Sequence, residues 1–300
     1  MRKVRRSVLL LAVLALAALS GCPTGIGTAP LTFTVAADMR EFVGASEFRG
    51  AVEAMKKAGA GSFMVSPGDI DPPGPVRDAV RSILGSSYPW YPVVGNHEAE
   101  TPEDMTWLRS FNPGGSALPS VVNPGPAGSR ETCYSFDWGP GHFVVINEYF
   151  TGTVDNDPTG DISADLLTWL DADLLASTQP LKLVFGHEPA YPQPDADPPH
   201  RLRHVGDSLD QFPSNRDSFW NTLVSRGVKA YICGHTHDYS IITMNGVWQI
   251  DVGHARGTAD TGASSTFLRM LVDETGGLSF ETWRLDLTSW SYKQTDWGVL

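Results

Sequence analysis

Two imidazoles, His235 and His237, stand at i and i+2 in Gly234-His235-Thr236-His237, directly after the apolar run Val228 to Cys233. The run reads as a strand, and the glycine lets the backbone leave it in a tight turn, so that both rings can reach one cavity. A His-x-His pair on its own is common. Earlier stretches supply the partners such a pair would need: Asp38, Asp69, Asn96 and His187 each follow an apolar run of their own. The set combines carboxylate, amide and imidazole donors with no thiolate, which suits Mn, Fe, Zn or a similar cation better than a structural zinc–thiolate site. Six donors exceed what one ion with an open position takes. They suit two divalent or trivalent ions roughly 3.5–4 Å apart, which together acidify a shared water and clamp the oxygens of a substrate, as phosphoester hydrolysis requires.

The elements that position these donors repeat one pattern. Leu31 to Ala37 runs into Asp38-Met39-Arg40 and is followed by a helix with Phe48, Val52 and Met55 on one face. Phe63 to Val65 runs into Pro67-Gly68-Asp69, ahead of a helix predicted over Pro75 to Leu84 with Val76, Val80, Ile83 and Leu84 inward. Tyr91 to Val94 runs into Gly95-Asn96-His97-Glu98, and Leu181 to Phe185 into Gly186-His187. Strand, loop with an acid or imidazole, then helix is the pattern of parallel strands with ligands at their carboxyl ends. Tyr134 to Trp138 and His142 to Ile146 read as a hairpin, and Ser163 to Ala176 as an amphipathic helix capped by Ser163. A further helix is expected near Ser214 to Arg226. After His237, Ile241–Asn245, Val247–Val252, Phe267–Asp273 and Leu278–Leu285 alternate as antiparallel strands, with Asn245-Gly246 as a hairpin turn. Residues 112–130 read as loop, and 189–213 as a long insertion with six prolines, of the kind that shapes a site or moves.

The chain has 300 residues, 41% hydrophobic and 19% charged, a globular balance with ample material for a core. Residues 1–21 stand apart. Arg2, Lys3, Arg5 and Arg6 precede the apolar run Val8 to Leu19, which is shorter than the roughly 20 residues of a membrane span and has the length of a signal-peptide core. The run ends in Leu19-Ser20-Gly21-Cys22, which resembles a bacterial lipobox. That implies lipidation at Cys22 and export to a bacterial membrane on the cell-envelope or periplasmic side. The Pro-, Gly- and Thr-rich stretch that follows reads residues 22–30 as a tether, and with no linker after residue 30 the rest reads as one domain over 31–300. Loss of four positive charges takes the formal net charge from −12 to −16, which argues against nucleic acid as a partner. Cys133 and Cys233 remain, and read as two buried thiols with a disulfide left open.

Taken in order, Asp38-Met39-Arg40, Gly68-Asp69, Gly95-Asn96-His97-Glu98, Gly186-His187 and Gly234-His235-Thr236-His237 resemble the calcineurin-like metallophosphoesterase superfamily, over roughly residues 31–255. The resemblance implies a four-layer α/β/β/α sandwich, with two mixed sheets face to face and helices outside. It implies one metal on Asp38, Asp69 and His237, a second on Asp69, Asn96, His187 and His235, and a metal-bridging hydroxide as nucleophile. His97 would be the acid that steadies the phosphoryl oxygens or protonates the leaving group. The implied substrate is a phosphorylated small molecule or a phosphodiester.

The chain departs from that pattern twice. Arg40 stands where the family has the His of Asp-x-His. A protonated guanidinium cannot ligate a cation, so the first metal loses an imidazole, and Arg40 is left to grip a phosphate oxygen or pair with an acid. Pro72 stands where the family has the acid that orients the imidazole of His97, and Asp71 is the nearest candidate for that duty or for a ligand role. The altered first motif keeps a second function open: a degenerate phosphoesterase-fold lipoprotein with a binding or scaffold role. A serine hydrolase is not supported, since no Gly-x-Ser-x-Gly is present.

Other polar residues have plainer readings. His142 lies in a strand pattern and reads as structural. His254 lies where a strand leaves the sheet, with a role behind the ligands or toward substrate balanced against a loop role. His200, Arg201, Arg203 and His204 read as solvated loop. Asp155, Asp157, Thr159 and Asp161 have the spacing that starts a calcium loop, but no Glu closes it, and they read as a turn.

Overall fold

Three parallel strands open the chain in the computed structural model, which describes residues 30–40, 46–260 and 262–300. The leader, Cys22 and the tether up to residue 29 lie outside the described residues. These strands are β1 (Leu31–Val35), β2 (Met64–Ser66) and β3 (Trp90–Pro92), joined through helices α1 (Ser46–Ala58) and α2 (Pro73–Leu84). Helix α2 starts two residues before the predicted Pro75, because Pro73 fits the first helical turn, where its missing N–H costs nothing. Two short helices, α3 (Asn96–Glu100) and α4 (Pro102–Phe111), follow β3.

The second half of the domain builds another sheet. It uses β4 (Val121–Pro124), the hairpin β5 (Tyr134–Trp138) and β6 (Gly141–Val145), helix α5 (Ala164–Ala176), β7 (Leu181–Phe185), helix α6 (Pro213–Ser225) and β8 (Ala230–Cys233). The hairpin β9 (Tyr239–Met244) and β10 (Val247–Val252) completes it. The turn of that hairpin, Asn245-Gly246, has φ of 52° and 85°, the pair of positive values a two-residue hairpin turn requires. A two-stranded ribbon, β11 (Ala259–Asp260) and β12 (Ala263–Ser264), leads into β13 (Thr266–Val272), β14 (Leu278–Asp286) and β15 (Ser291–Val299).

The strand order is β15-β14-β13-β1-β2-β3 in one sheet and β4-β5-β6-β7-β8-β10-β9 in the other. The strands after His237 are thus not uniformly antiparallel as expected: β10 pairs antiparallel with β9 but parallel with β8. Strand alternation sorts the side chains into layers. Phe33, Phe63, Phe136, Phe143, Leu183 and Ile232 meet between the sheets. Met64, Val52, Met55, Val76 and Leu108 pack under α1, α2 and α4, while Val144, Leu166, Leu170, Phe219 and Leu223 pack under α5 and α6. The result is the expected four-layer α/β/β/α sandwich with two mixed sheets.

Two strands escape the sequence pattern. β4 lies inside the stretch read as loop; it is four residues long, ends in Pro124 and sits at a sheet edge, where proline is tolerated. β15 is an edge strand exposed along most of its length, so no apolar period marks it. Cys133 and Cys233 are both buried and free, as the thiol reading expected. Among the described residues no helix is long and apolar enough to cross a membrane.

Candidate metal centre

The loops that leave β1, β2, β3, β7 and β8 meet at one rim of the sandwich. Their backbones are bent to do so. Asp38, Asp69, His235 and His237 have φ of 51°, 52°, 71° and 60°, a left-handed conformation that costs a non-glycine residue about 1–3 kcal/mol and persists where packing over-determines it. Close approach explains two glycines of the motifs: a Cβ on Gly68 would lie 2.3 Å from His187 Nδ1, and one on Gly234 would lie 2.3 Å from Asp38 Oδ2.

The six predicted donors come together. Asp38 Oδ1 lies 3.4 Å from His237 Nε2, and Asp69 Oδ1 lies 3.4 Å from His187 Nε2. His187 Nε2 is 3.3 Å from both Asn96 Oδ1 and His235 Nδ1. Two donors held about 2.1 Å from one cation, about 90–110° apart, stand about 3.0–3.4 Å from each other, so these spacings are those of ligands around an ion. Hydrogen bonds on the outer side of the rings support this. His187 Nδ1 donates to the Pro67 carbonyl at 2.8 Å, which assigns the lone pair to Nε2. That lone pair then faces the Asn96 oxygen with no proton between them. His237 turns Nδ1 to the Asp260 carboxylate and Nε2 inward to Asp38. Asp38 Oδ1 is fully buried without a hydrogen-bond partner, as is His235 Nε2.

The electrostatics agree with the geometry. Burial, then the charges of Asp69 and Asp251, push the Asp38 carboxyl well above its ordinary value. Burial lowers His187 and His237, and burial with the neighbouring imidazoles lowers His235 strongly. A cation would relieve the crowded carboxylates and take the neutral rings as ligands, so these residues fit a metal. Asp38, Asp69 and His237 bring their donor atoms within 4.8 Å of one another, and so do His204, Asp207 and His235.

The candidate catalytic pair is arranged differently from expectation. Asp71 does not touch His97. Its Oδ2 accepts from Arg40 Nε at 3.2 Å, and Arg40 Nη1 donates to His97 Nε2 at 2.8 Å, so the acid reaches the imidazole through the guanidinium that displaced the expected His. His97 Nε2 lies 3.6 Å from Asp69 Oδ2, beside the ligand cluster. His254 is fully buried and donates Nε2–H to the Ala263 carbonyl at 3.2 Å, its ring 6.0 Å behind that of His237. It is shut off from any substrate, and burial pushes it down to about 3.

Four acids that support the loops carried no sequence assignment. Glu98, fully buried, accepts from the backbone N–H of Asp69 at 3.0 Å, Ile70 at 2.8 Å and Gly95 at 2.7 Å, tying the second and third loops together. Glu148 accepts from the N–H groups of His187 at 2.8 Å and Glu188 at 2.7 Å, and burial raises it to about 7. Asp251 accepts from Thr236 Oγ1 at 2.6 Å between the two imidazoles of the opening motif. Asp260 holds His237, with Arg256 Nη1 at 3.3 Å and Arg203 Nη1 at 3.9 Å beside it. The signal available for Glu98 and Glu148 was an acid just past an apolar run, whereas Asp251 sits inside strand β10.

The insertion corrects the solvated-loop reading of its basic residues. Arg201 pairs with the buried Asp238, Arg203 reaches Asp260, and the ring of His204 packs 4.2 Å from that of His235. The Asp155 turn is likewise structural: Asp155 is buried and binds Arg109 Nε at 3.1 Å.

Buried carboxylates and neutral imidazoles at the ends of parallel strands, in a sandwich of two facing sheets, place the protein among the metallophosphoesterases. A family model described as calcineurin-like phosphoesterase matches residues 31–239, and the chain belongs to that family. Among solved structures it is similar in fold to GAP50, the anchor in the inner membrane complex of Plasmodium, with a TM-score of 0.58 at 15% identity over 91% of this chain and 89% of that one. It is also similar to PhoD, with a TM-score of 0.60 at 11% identity over 92% of this chain and 69% of that one. At such identities the likeness is one of fold. No curated protein matches the chain in sequence.

Proposed function

We propose that this protein hydrolyses phosphate esters at a centre of two cations. One would be held by Asp38, Asp69 and His237, the other by Asp69, Asn96, His187 and His235. The observation that carries this reading is the spacing of donor atoms from five strand ends at 3.3–3.4 Å, with Nε2 of His187 and His237 turned inward and their Nδ1 held by partners on the outer side. Mn, Fe or Zn bound there would supply Lewis acidity, acidifying a water and polarising the phosphoryl oxygens. The protein's own groups do the rest. Asp69 presents one carboxylate to both sets. Its geometry is fixed by the His97 backbone N–H, which donates to Oδ1 at 3.3 Å, and by Glu98, which holds its own N–H. Arg40 and His97 face the place where phosphoryl oxygens would lie. The guanidinium offers N–H donors that stay charged through the reaction, and the imidazole, whose Nε2 accepts from Arg40, would steady or protonate the leaving oxygen through its Nδ1–H.

A second reading rests on Arg40: with no imidazole there, the first set has only three protein ligands, and the protein would keep one cation and act as a binding or scaffold lipoprotein. The fold tolerates such use, since one of its structural neighbours is described as an anchor. Metal analysis of the purified protein, with turnover of p-nitrophenyl phosphate and bis-p-nitrophenyl phosphate, separates the two. Two equivalents and turnover support the hydrolase. One equivalent and no turnover across added Mn, Fe, Zn and Co would sink it.

We also read the chain as exported and lipid-anchored through Cys22, on the strength of its basic n-region, apolar run and Leu19-Ser20-Gly21-Cys22. Cys22→Ala should move the protein from the membrane to the soluble fraction and abolish incorporation of labelled fatty acid. An unchanged distribution would refute the anchor.

A further inference from the structure

The three imidazoles of the centre are backed in three different ways. His187 rests its Nδ1 on the Pro67 carbonyl at 2.8 Å, a neutral acceptor. His235 turns Nδ1 to His187 at 3.3 Å, and its Nε2 is buried with no hydrogen-bond partner. Among the described residues, His237 is the one of the three with a carboxylate behind it: its Nδ1 binds Asp260 Oδ2, while its Nε2 faces Asp38 Oδ1 at 3.4 Å.

That carboxylate comes from outside the two facing sheets. Asp260 closes β11 of the small ribbon, opposite Ala263 on β12. Its side chain is 18% exposed, so little water screens its charge. Arg256 Nη1 lies 3.3 Å and Arg203 Nη1 3.9 Å from the same Oδ2, which restrains the carboxylate from two further directions. A carboxylate behind a ligating imidazole keeps the ring proton on Nδ1, leaves the lone pair on Nε2, and makes that nitrogen a stronger donor.

The first ligand set is where such help counts most. Arg40 occupies the Asp-x-His position and is turned to Asp71 and His97, so His237 is the one imidazole of that set. The second set has two, His187 and His235, with Asn96 beside them. Building on the two-cation reading, we infer that Asp260 is a positioning residue acting through His237: it sets the affinity of the first cation and leaves that of the second unchanged. The ribbon thereby makes up part of what the loss of an imidazole at position 40 removes.

Equilibrium dialysis of the full chain, stripped of metal and then exposed to buffered free Co²⁺, tests this by metal content alone. Wild type should take up two equivalents. Asp260→Ala should weaken one of them by about 10–100-fold and leave the other unchanged. Asp260→Asn, of the same shape and still offering Nδ1–H an oxygen, should weaken the same equivalent by a smaller factor. In a His237→Ala background, which leaves the second cation, Asp260→Ala should change nothing further, whereas a residue that only props up the fold would add its own loss. Weakening of both equivalents or of neither, a larger loss in Asp260→Asn than in Asp260→Ala, or a further loss in the His237→Ala background overturns the inference. Uptake of a single equivalent by wild type would sink the two-cation reading instead. Asp260 would then be upheld if Asp260→Ala weakens that equivalent only when His237 is present, and overturned otherwise.

Discussion

On β6, His142 pairs Nδ1 with Asp137 Oδ1 at 2.7 Å and Nε2 with Asp173 Oδ2 at 2.9 Å. Asp173 also accepts from Asn123 Nδ2 at 2.7 Å and Ser135 Oγ at 2.8 Å. At the strand ends the same residue types stand 3.3–3.6 Å apart, and buried atoms such as Asp38 Oδ1 have no partner. The first cluster lies at hydrogen-bonding distance and is satisfied by the protein itself. The second is too widely spaced for that and has its lone pairs turned to a common centre. Burying unsatisfied polar atoms is costly, so a fold that keeps the second cluster open implies something outside the chain that closes it. Composition does not separate the two clusters, but spacing and proton placement do.

The largest expected break in that contrast is Asp69→Ala. On the two-cation proposal, removing the carboxylate assigned to both ligand sets should abolish binding of both metal equivalents and bring turnover to background. Metal analysis checks it, and retention of both equivalents with full turnover would refute the shared role. His97→Ala should spare the metals and slow turnover of an alkyl phosphate ester, whose leaving oxygen needs a proton, by about 10²-fold or more if His97 acts as the general acid. A normal rate would leave Arg40 alone to steady the leaving group.

Glu98→Gln tests the support rather than the ligands. The carboxylate accepts from three backbone N–H groups; an amide has one oxygen and sets an NH₂ against at least one of them. Misplacing the Asp69 loop should weaken metal affinity by about 10–100-fold, the usual cost of losing a group that orients a ligand. Unchanged affinity would mean that Asp69 is positioned without it.

Legibility in the sequence follows the range over which each feature is determined. Asp38, Asp69, Asn96, His187, His235 and His237 could be picked out because each follows a short apolar run, and the run and its exit are neighbours in the chain. The runs by themselves announced parallel strands with donors at their carboxyl ends; the layered sandwich was legible only through the family resemblance that the ordered motifs carry. Glu98 stood in plain view in Gly95-Asn96-His97-Glu98, yet its role depends on the Asp69 loop, nearly thirty residues earlier. Arg40 and Pro72 stand out as departures and Asp71 as the nearest acid, but that Arg40 would link Asp71 to His97 is a matter of tertiary placement. His204 lies in an insertion without periodicity, so nothing local announced its contact with His235. β15 was hidden because an exposed edge strand has no face to make apolar.

The smallest expected effect comes from the closed cluster, and it concerns stability alone. Burial pulls the His142 imidazole down, but its hydrogen bonds to Asp173 and Asp137 outweigh that, and the net shift is upward. In the unfolded chain the ring titrates near its ordinary value of about 6.5. A raised folded value means that the native state holds the proton more tightly. The stabilisation is therefore complete below about pH 6.5 and is lost as pH rises through the folded value. His142→Gln can still hydrogen-bond to a neighbouring carboxylate but cannot titrate, so the difference in urea midpoint between wild type and variant should be larger at pH 6 than at pH 9. Comparing the two proteins at each pH cancels the titration of Glu148 and other buried acids common to both. A difference independent of pH would mean that His142 is neutral in the native state and that the cluster is held by ordinary hydrogen bonds. Metal content should be the same in both proteins at either pH, since nothing in this cluster touches the strand-end donors.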